Sequence, residues 1–368
     1  MAKLKTINFI QSHKNWKELL QAPPYCLKIS EDEHYVLLQY NQIESDFSQQ
    51  ICRECRGLIV DKHTLKPKAL SFFKFRNYGE EGAAKIHWRS ARVQEKVDGS
   101  KILVWYNEYT KNWQISTSGC INAYTTKVGG FNFTFGQLFE EAICKMGFIW
   151  EHFFLYLNCN YCYTFELVSP YNRVVVHYPE TKAYLIGMRN LETFEEEEPV
   201  IEHLDFPRPK LFSELDSLEL CIAATDVMSA DEEGFVVVDK FWNRVKIKSR
   251  EYLQAHFVAN NGVITPRRIW DILMQGEQNE FLSYFPEYKP EFDKVHSTID
   301  EWRENNHNAI IEVFGKGFAD QKELAAYVMQ NHPDKRDVLF SFLKQIDLWL
   351  DLYLRKMTST QRDTLLKL

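Results

Sequence analysis

The stretch Glu95-Lys96-Val97-Asp98-Gly99-Ser100 lies where one strand-like segment, Arg92–Asp98, hands over to another, Lys101–Tyr106. Both segments are short, aromatic and β-branched, the composition that fits a pleated surface. A third, Trp113–Thr117, follows across the polar turn Asn107–Asn112. A lysine that leaves a strand and is followed by Asp-Gly-Ser occupies a tight turn. The glycine permits the turn and the lysine tip faces a cleft. Average residue usage produces a Lys-x-Asp-Gly-Ser match in about one chain in a few hundred of this length. The motif therefore takes its weight from its surroundings.

Outward from it, the strand pattern continues through Tyr161–Val168, Arg173–Tyr178, Ala183–Arg189, Gly234–Asp239 and Arg244–Lys248. Two helices interrupt it. Thr134–Met146 sets Phe135, Leu138, Phe139 and Ala142 on one face, and Ser213–Thr225 opens with Ser213 as its N-cap. The acidic run Glu195–Glu198, closed by Pro199, reads as a solvated loop. Past Ser249 the alternation stops. Pro266–Gln275, Glu291–Asn305, Asp320–Gln330 and Lys335–Leu354 read as amphipathic helices, with Pro266 in a first turn. The expectation is an α+β domain over residues 1–254, with mixed and antiparallel sheets and flanking helices, and an all-helical domain over residues 255–368.

Composition narrows the class. Of 368 residues, 45% are apolar and 26% charged, which excludes a mostly disordered chain. The net charge of −7 argues against a broad nucleic-acid coat but leaves room for a local basic groove. Neither a membrane span nor a secretion signal is visible, so the expected compartment is the cytosol, or a host cytoplasm for a viral protein. Eight cysteines in a reducing compartment read as buried free thiols. Cys52-x-x-Cys55 and Cys159-x-x-Cys162 lie too far apart for an ordinary zinc site. His177, after Val174–Val176, reads as a packed strand residue.

Further segments interrupt apolar strands with charge, in a fixed order: Cys55-Arg56-Gly57-Leu58-Ile59-Val60, Phe73-Lys74-Phe75-Arg76-Asn77, Phe165-Glu166-Leu167, Glu233-Gly234-Phe235-Val236-Val237-Val238 and Val245-Lys246-Ile247-Lys248. Alternation puts Lys246 and Lys248 on one face. Charges in core strands are costly unless they converge on something charged. A polyanion carried with a divalent metal meets that need.

In this order the segments resemble the covalent nucleotidyltransferases, an ATP-grasp-like ligase fold that includes ATP-dependent ligases and capping enzymes. Among these they are most similar to the phage tRNA-repair RNA ligases of the RNA ligase 1 type. The resemblance covers residues 35–255 through its motifs, and the helical tail more loosely. It implies an enzyme that joins 5′-phosphate and 3′-hydroxyl RNA ends with ATP and Mg2+ or Mn2+. Lys96 would take AMP from ATP. Arg56 and Lys74 would contact the nucleotide and the phosphate of the adenylated RNA end. Glu166 would bind the ribose or help hold the metal, which Glu233 would hold through water. Lys246 and Lys248 would hold the α-phosphate and help expel pyrophosphate. Tyr40, Glu95 and Gly99 complete the implied nucleotide site. The implied partners are nicked tRNA, read by the C-terminal helices of a monomer, and an end-healing kinase or phosphatase, with no membrane.

Two positions depart from the family pattern. Arg76 stands where a second Phe is common after the upstream lysine. Ser118-Gly119 lacks a basic residue before the glycine, a contact that Lys127 could replace. The alternatives are a DNA ligase or capping guanylyltransferase, and a silent RNA-end-binding protein. No oligonucleotide-binding barrel is visible after Lys248, which favours the RNA ligase reading. A free lysine is only about 0.1% neutral at pH 7.5. Cations and a metal beside such a lysine disfavour its ammonium form, which is what a lysine nucleophile requires.

Overall fold

The computed structural model describes residues 4–257, 264–344 and 350–368. The chain divides into two compact units, Met1–Ala259 and Asn260–Leu368.

The first unit is α+β. Its first sheet runs β1 (Lys28–Glu31), β2 (Tyr35–Gln39), β3 (Arg56–Asp61), β4 (Pro67–Ala69), all antiparallel. β2 and β3 are buried on both faces, so they carry continuous apolar runs and show no alternation. Val36, Leu38, Leu58 and Val60 pack with Ile7 and Ile10 of the helix Lys5–Ser12. On the other face Tyr35, Leu37 and Ile59 meet Leu103, Trp105 and Cys162 of a second sheet. Next in the chain come β5 (Arg76–Asn77) and β6 (Arg92–Glu95), the edge strands of a third sheet.

The second sheet is built from β7 (Ser100–Asn107), β8 (Asn112–Thr117), β9 (Tyr161–Val168), β10 (Lys182–Asn190) and β11 (Glu196–Glu197), ordered β11-β10-β9-β7-β8. Its pairings are all antiparallel. Ile102, Val104, Phe165 and Leu167 bury against Leu138, Phe139, Ala142 and Ile143 of the helix Phe135–Lys145. Each such side chain contributes roughly 1.5–3 kcal/mol. Thr134 caps that helix, and Gln137 reaches back to complete the capping box. The third sheet adds β12 (Gly234–Val238) and β13 (Arg244–Lys248), in the order β5-β13-β12-β6, with only β5 and β13 parallel among its pairings.

Several expectations are corrected. Arg173–Tyr178 is not a strand, because the Asp98 carboxylate takes the amides of Val175 and Val176 and so removes them from any ladder. His177 therefore lies in a loop. The second helix spans Leu218–Thr225 and is capped by Ser217, whose side chain accepts the Leu220 amide, instead of by Ser213. Glu195–Glu198 is no solvated loop: Glu196–Glu197 forms β11, and the half-buried Glu196 lies between two arginines. Cys159 is exposed, whereas Cys52, Cys55 and Cys162 are buried.

The described residues of the second unit form helices and no strands. Pro266–Gln275 starts behind the Thr265 cap, and Gln321–Asn331 behind Asp320. The helix Lys289–Gly315 overruns its expected Glu291–Asn305 at both ends. The expected Lys335–Leu354 is found as Arg336–Lys344 and Leu350–Lys356, with residues 345–349 outside the described residues. Ser359–Leu366 is a further helix, with its own Thr358–Gln361 capping box. Ile310, Val313, Val328 and Leu339 belong to one core cluster of this unit, and Trp270, Phe281 and Phe292 are also fully buried in it. No described helix is long and apolar enough to cross a membrane.

Candidate active site

Two close backbone approaches assemble the site. Gly234 has φ 127°, and a Cβ there would stand 2.2 Å from the Ile247 carbonyl oxygen. Only glycine fits, and it lets β12 and β13 close with Glu233 beside Lys248. The Lys96 amide donates to the Gly234 carbonyl at 2.8 Å, so the lysine is still held by β12 as it leaves β6. As a result Glu233, 4% exposed, accepts Lys96 Nζ at 2.5 Å and faces Lys248 Nζ at 3.3 Å. At Gly99 a Cβ would meet the Leu167 carbonyl at 2.4 Å. Gly99 thus has a packing reason, allowing β9 to press against the turn after Lys96.

That pressure brings Glu166 within electrostatic reach of Lys96 and Arg56. Burial pushes the Glu166 carboxyl up to about 7, against the pull of Lys96 and Arg56. It accepts no hydrogen bond from the described residues. A half-buried carboxyl with no protein donor is open to a cation or a hydroxyl that arrives from solvent.

Asp98 is the hub of the turn and 5% exposed. Its carboxylate accepts the Val175 and Val176 amides at 2.9 Å and the Tyr252 hydroxyl at 3.0 Å. Tyr252 lies on the helix Arg250–Phe257. Sequence reasoning used Asp98 only for the turn and missed Tyr252; an acid inside the lysine motif was the available signal. Lys101 was also missed. It pairs across β9 with Glu166 and donates to the Arg56 carbonyl. Burial, followed by the Arg56 charge, holds its amine well below the ordinary lysine value. The signal was a lysine on the same face as Leu103 and Trp105, where alternation calls for an apolar residue.

The remaining expected residues divide. The Arg56 guanidinium lies over Phe72 at 4.9 Å and Phe75 at 5.7 Å, and Lys246 Nζ lies 5.7 Å from the Phe75 ring. Phe75 therefore links both cations. Lys74 turns elsewhere: Nζ lies over Phe47 at 4.4 Å and Tyr40 at 4.8 Å, and donates to Gln42. Tyr40 and Lys74 thus form a cation–π group of their own. Glu95 lies within electrostatic reach of Tyr178 and Tyr184. Arg76 packs over Gly82. Lys127 bridges Thr134, and Lys101 is the extra cation beside Glu166.

Glu166 and Glu233 lie within electrostatic reach of each other, and no group of three or more ligating side chains occurs among the described residues. Hard oxygen donors in that number fit a divalent ion that keeps water and binds phosphate oxygens. They do not fit zinc in a closed protein cage. A lysine tip 21% exposed lies beside further lysines on β13 and two carboxylates, side chains of the kind that serve transfer of a phosphate-bearing group onto an amine.

Comparison with known proteins narrows this class. Residues 54–252 match the family described as RNA ligase, and the chain belongs to that family. It is 30% identical over 273 residues to a putative bifunctional polynucleotide kinase/RNA ligase of Autographa californica nuclear polyhedrosis virus, covering 69% of this chain and 38% of that protein. It is 28% identical over 292 residues to an RNA ligase of Rhodothermus phage RM378, covering 62% of this chain and 65% of that one. The chain thus spans less than two thirds of either relative. An archaeal ATP-dependent RNA ligase aligns with 93% of this chain and 99% of its own at 12% identity, with a TM-score of 0.48.

Proposed function

We propose that the protein is an ATP-dependent RNA ligase with a nucleotidyltransferase fold, joining 5′-phosphate to 3′-hydroxyl RNA ends. The observation that carries this reading is Lys96 held against Glu233 beside Lys248, inside the segment that places the chain in its family. Lys96 Nζ, once it has shed its proton, attacks the α-phosphorus of ATP. A nitrogen–phosphorus bond forms and the bond to pyrophosphate breaks. Lys246 and Lys248 neutralise charge on the phosphate oxygens, and Glu233 fixes the lysine tip in line. Glu166 meets the ribose or the metal. Glu166 and Glu233 would hold a divalent ion, which when bound would supply Lewis-acid stabilisation of the phosphates. AMP then passes to an RNA 5′-phosphate, with Arg56 and Lys74 on the phosphates, and attack by the 3′-hydroxyl seals the strand and releases AMP.

The finer assignments extend this reading. The helical unit recognises nicked tRNA, and the protein works as a monomer in the cytoplasm alongside an end-healing activity. The viral relative, named for both kinase and ligase, supports the last point.

The test is intact mass after incubation with ATP and Mg2+, then with pyrophosphate. A gain of one AMP, reversed by pyrophosphate and absent in Lys96→Ala, is expected. GTP and DNA ends should substitute poorly. Lys96→Ala should still seal a pre-adenylated RNA end. No adduct, from wild-type protein free of bound AMP, overturns the reading.

A further inference from the structure

A pocket of about 650 Å3 lies in the first unit, with Phe73, Lys74, Phe75, Arg76, Trp242 and Arg244 among its walls. It touches the active site through Phe75, whose ring also faces Lys246 and Arg56 at 5.7 Å. Arg244 and Lys246 lie on one face of β13, about 6.6 Å apart along the strand. The pocket therefore continues the row of cations that begins at Lys248.

Its lining alternates in chemistry. Phe73-Lys74-Phe75-Arg76 presents ring, cation, ring, cation along four consecutive residues. Two of the three acids in the wall have partners, and the third, Glu81, is exposed. Glu196 is held by Arg189 and Arg244, and Asp46 accepts from Ser48 and Gln49. Trp242 adds a large ring at a backbone position that disfavours it. Its φ is 63°, a region that a bulky side chain rarely enters. The turn is held by Asp239, which accepts the Phe241 and Asn243 amides at 2.9 and 3.0 Å. Rings that stack on any base, interleaved with cations that meet its phosphate, are the means by which proteins hold single strands. The volume falls in the range that encloses a small molecule, so it takes one unstacked unit and not a duplex.

We infer that this pocket binds one unpaired nucleotide of the RNA strand next to the joined phosphate, with its base against Trp242 and Phe73 and its phosphate at Lys74 and Arg76. This rests on the RNA ligase reading above.

The experiment uses the full chain and a short 5′-phosphorylated single-stranded RNA with a fluorescent label. Trp242→Ala should weaken its binding about tenfold, the loss of one stacked base, and Trp242→Phe should restore most of it. Arg76→Gln should weaken it several-fold, more at low salt than at high. The ATP concentration giving half-maximal lysyl-AMP formation should be unchanged in Trp242→Ala, which also reports that the variant is folded. RNA affinity equal to wild type in both Trp242→Ala and Arg76→Gln overturns the inference. So does a raised ATP requirement with unchanged RNA affinity, which would assign the pocket to the triphosphate. Absence of lysyl-AMP in wild-type protein would instead count against the ligase reading, while RNA affinity would still decide this one.

Discussion

Glu196 and Glu233 each meet two cations, and of this pair Glu233 belongs to the site. Glu196 meets Arg189 and Arg244, both at 2.5 Å. Phe73 covers the first guanidinium at 4.6 Å and Phe72 the second at 4.9 Å. Glu233 meets Lys96 at 2.5 Å and Lys248 at 3.3 Å. The partners make the difference. Guanidinium forks lidded by rings are fixed and keep their charge. Lysine tips are point charges that can shed a proton, and Lys96 keeps a route to solvent. An acid between cations is therefore no signature of chemistry. The signature is a partner that can change state beside another group, here Glu166, that lacks its own.

The comparison breaks most readily at Glu196. Glu196→Ala leaves two buried guanidiniums without their anion, and Arg189 Nε already has no hydrogen-bond partner. Removing one member of such a pair costs about 3–5 kcal/mol. Urea unfolding should show a loss of that size, while molecules that remain folded still form lysyl-AMP. A loss below 1 kcal/mol would mean that water reaches the arginines and the cluster is no structural clamp.

Glu233→Gln should behave in the opposite way. Gln keeps the shape but neither fixes the Lys96 ammonium nor serves a metal, so lysyl-AMP formation should fall about a hundredfold, as for loss of a group that orients a metal or its ligands. The stability loss should be smaller than at Glu196, because Gln keeps a side-chain oxygen that can still accept from Lys96 and Lys248. Single-turnover adenylation and a urea curve on the same preparation check both halves.

A smaller effect separates Glu166 from either cluster. Its folded-state value of about 7 lies above the ordinary 4.5. Between those values the folded protein holds a proton that the unfolded chain has released, so its contribution to stability falls as pH rises through that window. Glu166→Gln carries no such proton. Without ATP or metal, the melting temperature of the variant relative to wild type should rise from pH 5 to pH 8. A constant difference would mean that the carboxylate is already ionised across the window.

These contrasts also show what the sequence makes legible. Lys96 stood out for its Lys-x-Asp-Gly-Ser turn, and Glu166, Glu233, Lys246 and Lys248 because charge interrupts apolar strands; the structure brings Lys96, Glu233 and Lys248 together with Glu166 close by. β2 did not stand out, and β3 was legible only as the charged motif over residues 55–60, since strands buried on both faces have no period. Arg173–Tyr178 is β-branched enough for a strand, but its amides belong to Asp98, a partner far away in the chain. The Asp98–Tyr252 bond joins residues 154 positions apart, and no local pattern reports it. The run Glu195–Glu198 is uniform as text, and only the fold gives its members different neighbours.

That run supplies the finest test. Glu198 lies two residues from Glu196 and also meets two arginines, Arg92 and Arg208, the latter at 3.9 Å. Its side chain is 49% exposed against 9% for Glu196. Water screens the pair, and holding long side chains together costs entropy, so exposed pairs of this kind contribute about 0–1 kcal/mol. Glu198→Ala should therefore shift the urea midpoint by the equivalent of less than about 0.5 kcal/mol, and 1 M salt should erase most of that shift. The same salt should reduce the Glu196→Ala deficit by a smaller share, because the Glu196 side chain is 9% exposed and its guanidinium partners 6% and 7%. Equal losses at the two glutamates would show that burial does not set the strength of these pairs, and the distinction between clamp and site would then have to rest on the lysines alone.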